Sequence, residues 1–208
     1  MNNSYQTNQE KFWAGTFGNE YINRNIGKEI VASNIALFSE VLKNSSSISS
    51  VLELGANIGL NLVALNSLLP QTQLSAIEIN QTAVEELKKV KEIQNIYHES
   101  ILTFKPQTTY DLVLSKTVLI HINPSFLNTV YNLLYQASKK YICIVEYYNQ
   151  TPVEIVYRNH TDKLFKRDFA GEMLEKYPDL KLVNYGFCYS KDKQFPLDDL
   201  TWFLLEKM

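Results

Sequence analysis

Val51-Leu-Glu-Leu-Gly-Ala-Asn-Ile-Gly-Leu-Asn61 carries an apolar strand into two glycines four residues apart and then into a helix. This is how an open α/β sheet builds a ligand cleft. Gly55 lets the chain bend steeply off the strand, and Gly59 lets the start of the helix approach strand or ligand closely. Glu53 is an odd charge for a buried strand end, so its carboxylate reads as a ligand contact. The spacing is G-x-x-x-G. The G-x-G-x-x-G of dinucleotide sites and the Lys-Ser/Thr of a triphosphate loop are both missing, so a cleft is predicted without a pyrophosphate in it.

The 208 residues suffice for one sizeable core, which makes a single α/β domain over 1–208 the economical reading. A net charge of −2 argues against a general polyanion-binding surface, and nucleic acid is not an expected partner. Cys143 and Cys188 lie in apolar runs and read as core residues, with no spacing that suggests structural zinc. A polar start without an apolar h-region, and no apolar run of membrane-spanning length, place the chain in the cytoplasm. The aromatic load, 13 Tyr and 10 Phe, is large enough to furnish pocket walls or an interface beyond the core.

Residues 1–26 begin polar and turn aromatic around two glycines, which predicts a short helix followed by a loop. Phe12, Trp13, Phe17, Tyr21 and Arg24 would form a lid over the cleft, or anchor the segment to the body. An amphipathic helix follows over 27–43. Beyond the glycine turn, helices are expected over 60–69, over 81–92 with a Glu85–Lys89 pair, and from Pro124 onward. Strands are expected over 51–54, 74–78, 93–98, 110–115 and 140–146. The regular pattern breaks over 147–168, a polar, basic and aromatic insert of the kind that supplies active-site loops. A helix over 169–177 and strands over 180–189 and 200–206 complete the chain. The fold class is therefore α/β: a doubly wound, mostly parallel seven-stranded sheet with an antiparallel C-terminal hairpin.

In such a sheet the crevice lies outside the carboxyl ends of the strands, where Glu53, Gly55, Glu78, Glu99 and residues 115–121 converge. An acid ending the second strand, Glu78, can accept both hydroxyls of a ribose, as in NAD or an adenosine-containing cofactor. The first turn separates the two.

Glu53-Leu-Gly-Ala-Asn-Ile-Gly59 resembles the first motif of class I S-adenosylmethionine-dependent methyltransferases, with Asn57 where a middle glycine is common. Glu78 matches that group's ribose-binding acid, Glu99-Ser100 its adenine region, and Ser115-Lys116-Thr117 the strand exit beside the methionine moiety. The resemblance implies a Rossmann-like fold and S-adenosylmethionine as cofactor. It implies donor contacts from Glu53, Gly55, Ala56, Asn57 and Gly59, from Glu78, Ile79, Glu99 and Ser100, and from Ser115 and Lys116. Trp13, Tyr21 and Arg24 of the lid would enclose it. A narrower resemblance spans nearly the whole chain. Glu10-Lys-Phe-Trp-Ala-Gly-Thr-Phe-Gly-Asn-Glu-Tyr21, Leu119-Ile-His-Ile-Asn-Pro124, Tyr157-Arg-Asn-His160, Leu164-Phe-Lys-Arg-Asp-Phe-Ala-Gly171 and Asp198-Asp-Leu-Thr-Trp-Phe203 are similar to the methylases associated with pseudaminic acid biosynthesis. That likeness implies a small acidic sugar or nucleotide sugar as acceptor.

Methyl transfer to a hydroxyl needs a positioned nucleophile and a home for its proton. His121 is the first candidate base, with bonding to a loop carbonyl as the competing role; His160 is the second. His98 reads as structural or near the adenine. For a nitrogen acceptor, Tyr147, Tyr148 or Asn149 would suffice to orient it, and Tyr148 is also a catalytic candidate. Arg158, Lys166 and Arg167, with Tyr157 and His160 beside them, are candidates to hold an acidic acceptor. For Lys166 and Arg167 a solvated helix start paired with Asp168 or Glu172 competes. Asp198-Asp199 reads as a solvated turn, and no metal is expected. Three other functions stay open: methylation of a protein side chain or another metabolite, a noncatalytic cofactor-fold partner, and an NAD oxidoreductase.

Overall fold

The computed structural model describes residues 5–24 and 26–208, so residues 1–4 and 25 of the expected lid lie outside it. Seven strands form one sheet: β1 (Ser50–Leu54), β2 (Gln73–Glu78), β3 (Ile93–His98), β4 (Tyr110–Lys116), β5 (Ser138–Glu146), β8 (Leu180–Phe187) and β9 (Thr201–Lys207). Their order is β3-β2-β1-β4-β5-β9-β8. The first five are parallel, and β9 runs antiparallel to both β5 and β8. Strand order reverses between β1 and β4, so their carboxyl ends diverge and open the cleft predicted above.

Helices α3 (Lys28–Leu42), α4 (Leu60–Leu68) and α5 (Gln81–Leu87) cover one face through Phe38, Leu62, Leu65 and Leu87. On the other face lie α6 (Leu127–Ala137) and α7 (Phe169–Lys176), through Val130, Leu134, Phe169 and Met173. The continuous apolar run of β5 is buried on both sides, and Cys143 sits fully buried within it. No helix among the described residues is long and apolar enough to cross a membrane.

Three expectations are corrected. The N-terminal segment holds two helices, α1 (Asn8–Ala14) and α2 (Thr16–Arg24), where a helix and a loop were expected. A Cβ on Gly18 would stand 1.8 Å from the Trp13 carbonyl oxygen, so this glycine lets the two helices touch. The helix expected over 81–92 ends at Leu87. Lys89 therefore lies beyond it and pairs with Glu86 at 2.6 Å, not with Glu85. Finally, the insert over 147–168 is not irregular. It contains the antiparallel hairpin β6 (Val153–Tyr157) and β7 (His160–Lys166). Arg158 and Asn159, at φ 48° and 66°, make the two-residue turn that joins these strands with the right twist.

Candidate active site

The floor of the cleft is the turn after β1. Gly55 and Gly59 take φ of 67° and 84°, with Asn57 at 49° between them. A Cβ on Gly55 would lie 2.7 Å from a Val118 methyl, and one on Gly59 would lie 2.9 Å from Ile93 and Leu87. Both positions thus combine a left-handed backbone with a close approach. Glu78 is buried at the end of β2, where its two oxygens accept the Asn57 and Asn80 amides at 2.7 Å each. Burial raises its pKa, and the amides oppose that shift. Asn80 also caps α5, its side-chain oxygen accepting the Ala83 amide at 3.0 Å.

Gly55, Ala56, Asn57, Glu78, Ile79, Glu99, Ser100 and Lys116 border one cavity together with Trp13, Tyr21 and His121. Three residues expected to touch the donor stand behind this wall. Glu53 is fully buried; Asn61 donates to its Oε1 at 2.6 Å, and burial pushes its pKa up to about 8 with Lys116 nearby opposing the rise. Burial in turn lowers the pKa of Lys116. Ser115 is turned to Glu146, to which its hydroxyl donates at 3.3 Å, and Gly59 meets only core side chains.

The roof comes from α1, α2 and the hairpin. Thr7 and Glu10 form a reciprocal cap at the start of α1, and Ser100 donates to the other oxygen of Glu10. Asn80 donates to the Trp13 carbonyl at 3.0 Å and to Asn19 at 2.9 Å. The Trp13 ring packs on Tyr21 and His121, at centroid distances of 5.2 and 4.5 Å. His121, buried on the 3-10 turn Leu119–His121, directs Nδ1 to the Lys163 carbonyl at 2.6 Å. Desolvation holds its pKa down at about 4. A carbonyl can only accept, so Nδ1 carries the proton and Nε2 is the bare acceptor. The carbonyl contact and a base role are therefore compatible.

Other candidates are not brought to the cavity wall. Arg24 is exposed with its guanidinium 5.0 Å over Phe17, and His160 is exposed against Phe12 at 5.0 Å. Tyr148 is 43% exposed beside Phe203 and does not border the cavity. Asn149 donates to the Thr151 carbonyl at 2.6 Å, and Arg158 occupies the exposed hairpin tip. Arg167 pairs with Glu172 at 2.7 Å, as the competing role had it, but is half-buried rather than solvated. Lys166 lies 4.8 Å over Tyr147, and Tyr157 packs on His121 at 5.1 Å. Burial raises the pKa of Tyr147, with Asp198 adding to it.

Thr117, expected beside the methionine moiety, borders the cavity, and sequence reading missed Gln9, Asn34, Asn61 and Asn80, which border it too. Asn80 had a signal: Asn directly before a helix is a capping residue. Gln9 and Asn34 have none, because their contribution depends on which helix packs over the cleft, while Asn61 is placed by its bond to the buried Glu53. Among the described residues no group of three His, Cys, Asp or Glu could hold a metal ion.

No protein-family model and no curated protein sequence matches the chain. Solved structures do. The chain is similar to the plantazolicin methyltransferase BpumL in complex with SAH at 16% identity and a TM-score of 0.65, covering 96% of this chain and 93% of that one. It is similar to the magnesium protoporphyrin IX methyltransferase ChlM from Synechocystis PCC 6803 with bound SAM at 12% identity and TM-score 0.65, over 99% and 100% of the two chains. Mitomycin 7-O-methyltransferase MmcR superposes with TM-score 0.70 at 13% identity over 97% of this chain and 61% of its own. Strand order, antiparallel closing hairpin and this likeness together give the chain the Rossmann-like fold of class I methyltransferases.

Proposed function

We propose that this protein is an enzyme that transfers a methyl group from S-adenosylmethionine to a small-molecule acceptor. The observation that carries the reading is Glu78, fixed at the cavity edge by two backbone amides. A carboxylate has about four lone-pair sites, so two remain for the hydroxyls of a ribose. Beside it the turn offers Gly55 and Asn57 but no phosphate-cradling glycine run, which favours adenosine with a sulfonium over a dinucleotide. Ile79, Glu99 and Ser100 would border the adenine, and Lys116 and Thr117 the amino-acid end.

Bound S-adenosylmethionine supplies an electrophilic methyl. The chain's own part is to exclude water beneath Trp13 and Tyr21, to orient the acceptor in line, and to take a hydroxyl proton at His121 Nε2. The acceptor we favour is a small acidic sugar or nucleotide sugar of a nonulosonic (pseudaminic) acid route in the cytoplasm. With Arg158 at the hairpin tip and Arg167 paired, Lys166 is the cation we assign to its acidic group.

Calorimetry tests the donor site: S-adenosylmethionine and S-adenosylhomocysteine should bind in preference to NAD. Glu78→Gln should weaken them ten- to a hundredfold, about the loss expected for hydrogen bonds to a charged group. Preferential NAD binding, or unchanged affinity in the variant, would overturn the reading. Donor binding with no methyl appearing on any nonulosonic-pathway intermediate, followed by mass spectrometry with labelled donor, would favour another metabolite, a protein acceptor or a noncatalytic role.

A further inference from the structure

The hairpin does more than roof the cleft, because two successive carbonyls of β7 fix the polarity of two side chains that border the cavity. Gln9 Nε2 donates to the Asp162 carbonyl at 2.9 Å, and His121 Nδ1 donates to that of Lys163 at 2.6 Å. Asp162 takes a left-handed φ of 57° within the strand. Since each carbonyl can only accept, the side-chain orientations follow from chemistry: Gln9 must turn Oε1 away from the strand, and a neutral His121 must leave Nε2 unprotonated. Gln9 is 2% exposed, and its Oε1 has no hydrogen-bond partner. The indole Nε1 of Trp13, whose ring packs 4.5 Å from His121, is likewise buried without an acceptor. Gln9 Oε1 and Trp13 Nε1 therefore stand buried without a partner on the His121 side of the cavity, as Asn34 Oδ1 and Asn61 Oδ1 do elsewhere on its wall, and such groups cost free energy unless a ligand completes them.

We infer that Gln9, Trp13 and His121 form the acceptor subsite, and that it reads a neutral hydroxyl of a polyhydroxylated substrate rather than its acidic group. A hydroxyl is one donor and a two-lone-pair acceptor. It can give its proton to His121 Nε2 or Gln9 Oε1 while accepting from the Trp13 indole. A carboxylate would satisfy the indole but set its charge against two acceptors, and neither arginine of the hairpin region reaches this part of the cavity. The acid of the substrate is thereby directed outward, toward Lys166. This inference rests on the methyl-transfer reading and deepens it.

The test uses the full chain saturated with S-adenosylhomocysteine, with nitrogen-15 resonances of the tryptophan indoles and of His121 followed by NMR. N-acetylneuraminate and UDP-N-acetylglucosamine are the hydroxyl-bearing probes, and acetate is the carboxylate control. At least one sugar should shift both the Trp13 indole and His121 Nε2, while acetate should shift neither. Trp13→Phe and Gln9→Leu should each weaken that sugar about tenfold, roughly the loss of one buried hydrogen bond. Both changes also loosen the roof over the donor, so S-adenosylhomocysteine should weaken as well, but by less than the sugar, because its anchor on Glu78 is untouched. Acetate reproducing the shifts, neither sugar producing them, or equal losses for sugar and S-adenosylhomocysteine would overturn the subsite. If the unaltered protein bound no S-adenosylhomocysteine, the methyl-transfer reading itself would fall, and this inference with it.

Discussion

The carboxylate of Glu146, buried at the end of β5, accepts the Val118 and Leu119 amides at 2.9 Å each and the Ser115 hydroxyl at 3.3 Å. The start of the turn that carries His121 is therefore held by this one carboxylate. Burial pushes the Glu146 pKa up to about 7, with the amides opposing, while burial holds His121 down at about 4. The signs differ in their effect on stability. For Glu146 the folded chain binds its proton more tightly than the unfolded one, so its contribution is complete below about 4.5 and is lost as pH rises to about 7. Glu53 acts the same way up to about 8. For His121 the contribution is complete above about 6.5 and is lost as pH falls toward 4. The slopes oppose one another and partly cancel in the unaltered protein. Glu146→Gln removes one of them. Between pH 5 and 7.5, denaturant unfolding of this variant should change in favour of the higher pH, relative to the unaltered chain, by on the order of 2 kcal/mol. Parallel pH profiles for the two proteins would show that Glu146 does not titrate in this window.

The β6–β7 hairpin shows how far the elements were legible. The central strands β1, β2, β4 and β5 announce themselves through apolar runs bounded by turn residues, because burial on both faces leaves a compositional trace. The hairpin has none. Val153, Ile155 and Val156 are exposed, so no alternation separates a buried face from a wet one. Its turn is Arg158-Asn159, where Asn-Gly would have marked it. The cleft's floor was readable for a related reason: Gly55, Gly59 and Glu78 are rare residue types at the places they occupy. The roof was only partly so, since Gln9 owes its position to a hairpin 153 residues away. The same geometry makes a prediction about Arg158, which pays for a left-handed φ in its side chain's clash with the backbone. Arg158→Asn should stabilise the hairpin by about 0.5–1 kcal/mol, the range for a residue better suited to positive φ. Slower hydrogen exchange of the β6 and β7 amides would register the gain. The acceptor KM should stay within twofold, and a large rise would return Arg158 to the substrate site.

Across the whole molecule, the cavity is roofed by α1 and α2, which we propose act as its lid and which polar contacts join to the body at three places. Glu10 meets Ser100 after β3, the Trp13 carbonyl meets Asn80 after β2, and Gln9 meets the Asp162 carbonyl on the hairpin. A donor seated on Glu78 would lie under Trp13 and Tyr21, so release requires these contacts to part. Asn80 can be altered without disturbing the floor. Its backbone amide, not its side chain, holds Glu78, and Ser in its place still caps α5. Asn80→Ser therefore removes only the bonds to Trp13 and Asn19. Each bond is worth about 1 kcal/mol net, so the lid should open roughly five- to thirtyfold more often. Displacement kinetics should show S-adenosylhomocysteine leaving faster by that factor, with the association rate changed much less. Faster hydrogen exchange of the α1 and α2 amides in the ligand-free chain, with a melting temperature nearly unchanged, would separate a loosened lid from a weakened fold. Unaltered dissociation and exchange would mean that the aromatic packing of Trp13, Tyr21 and His121 holds the lid down without help from Asn80.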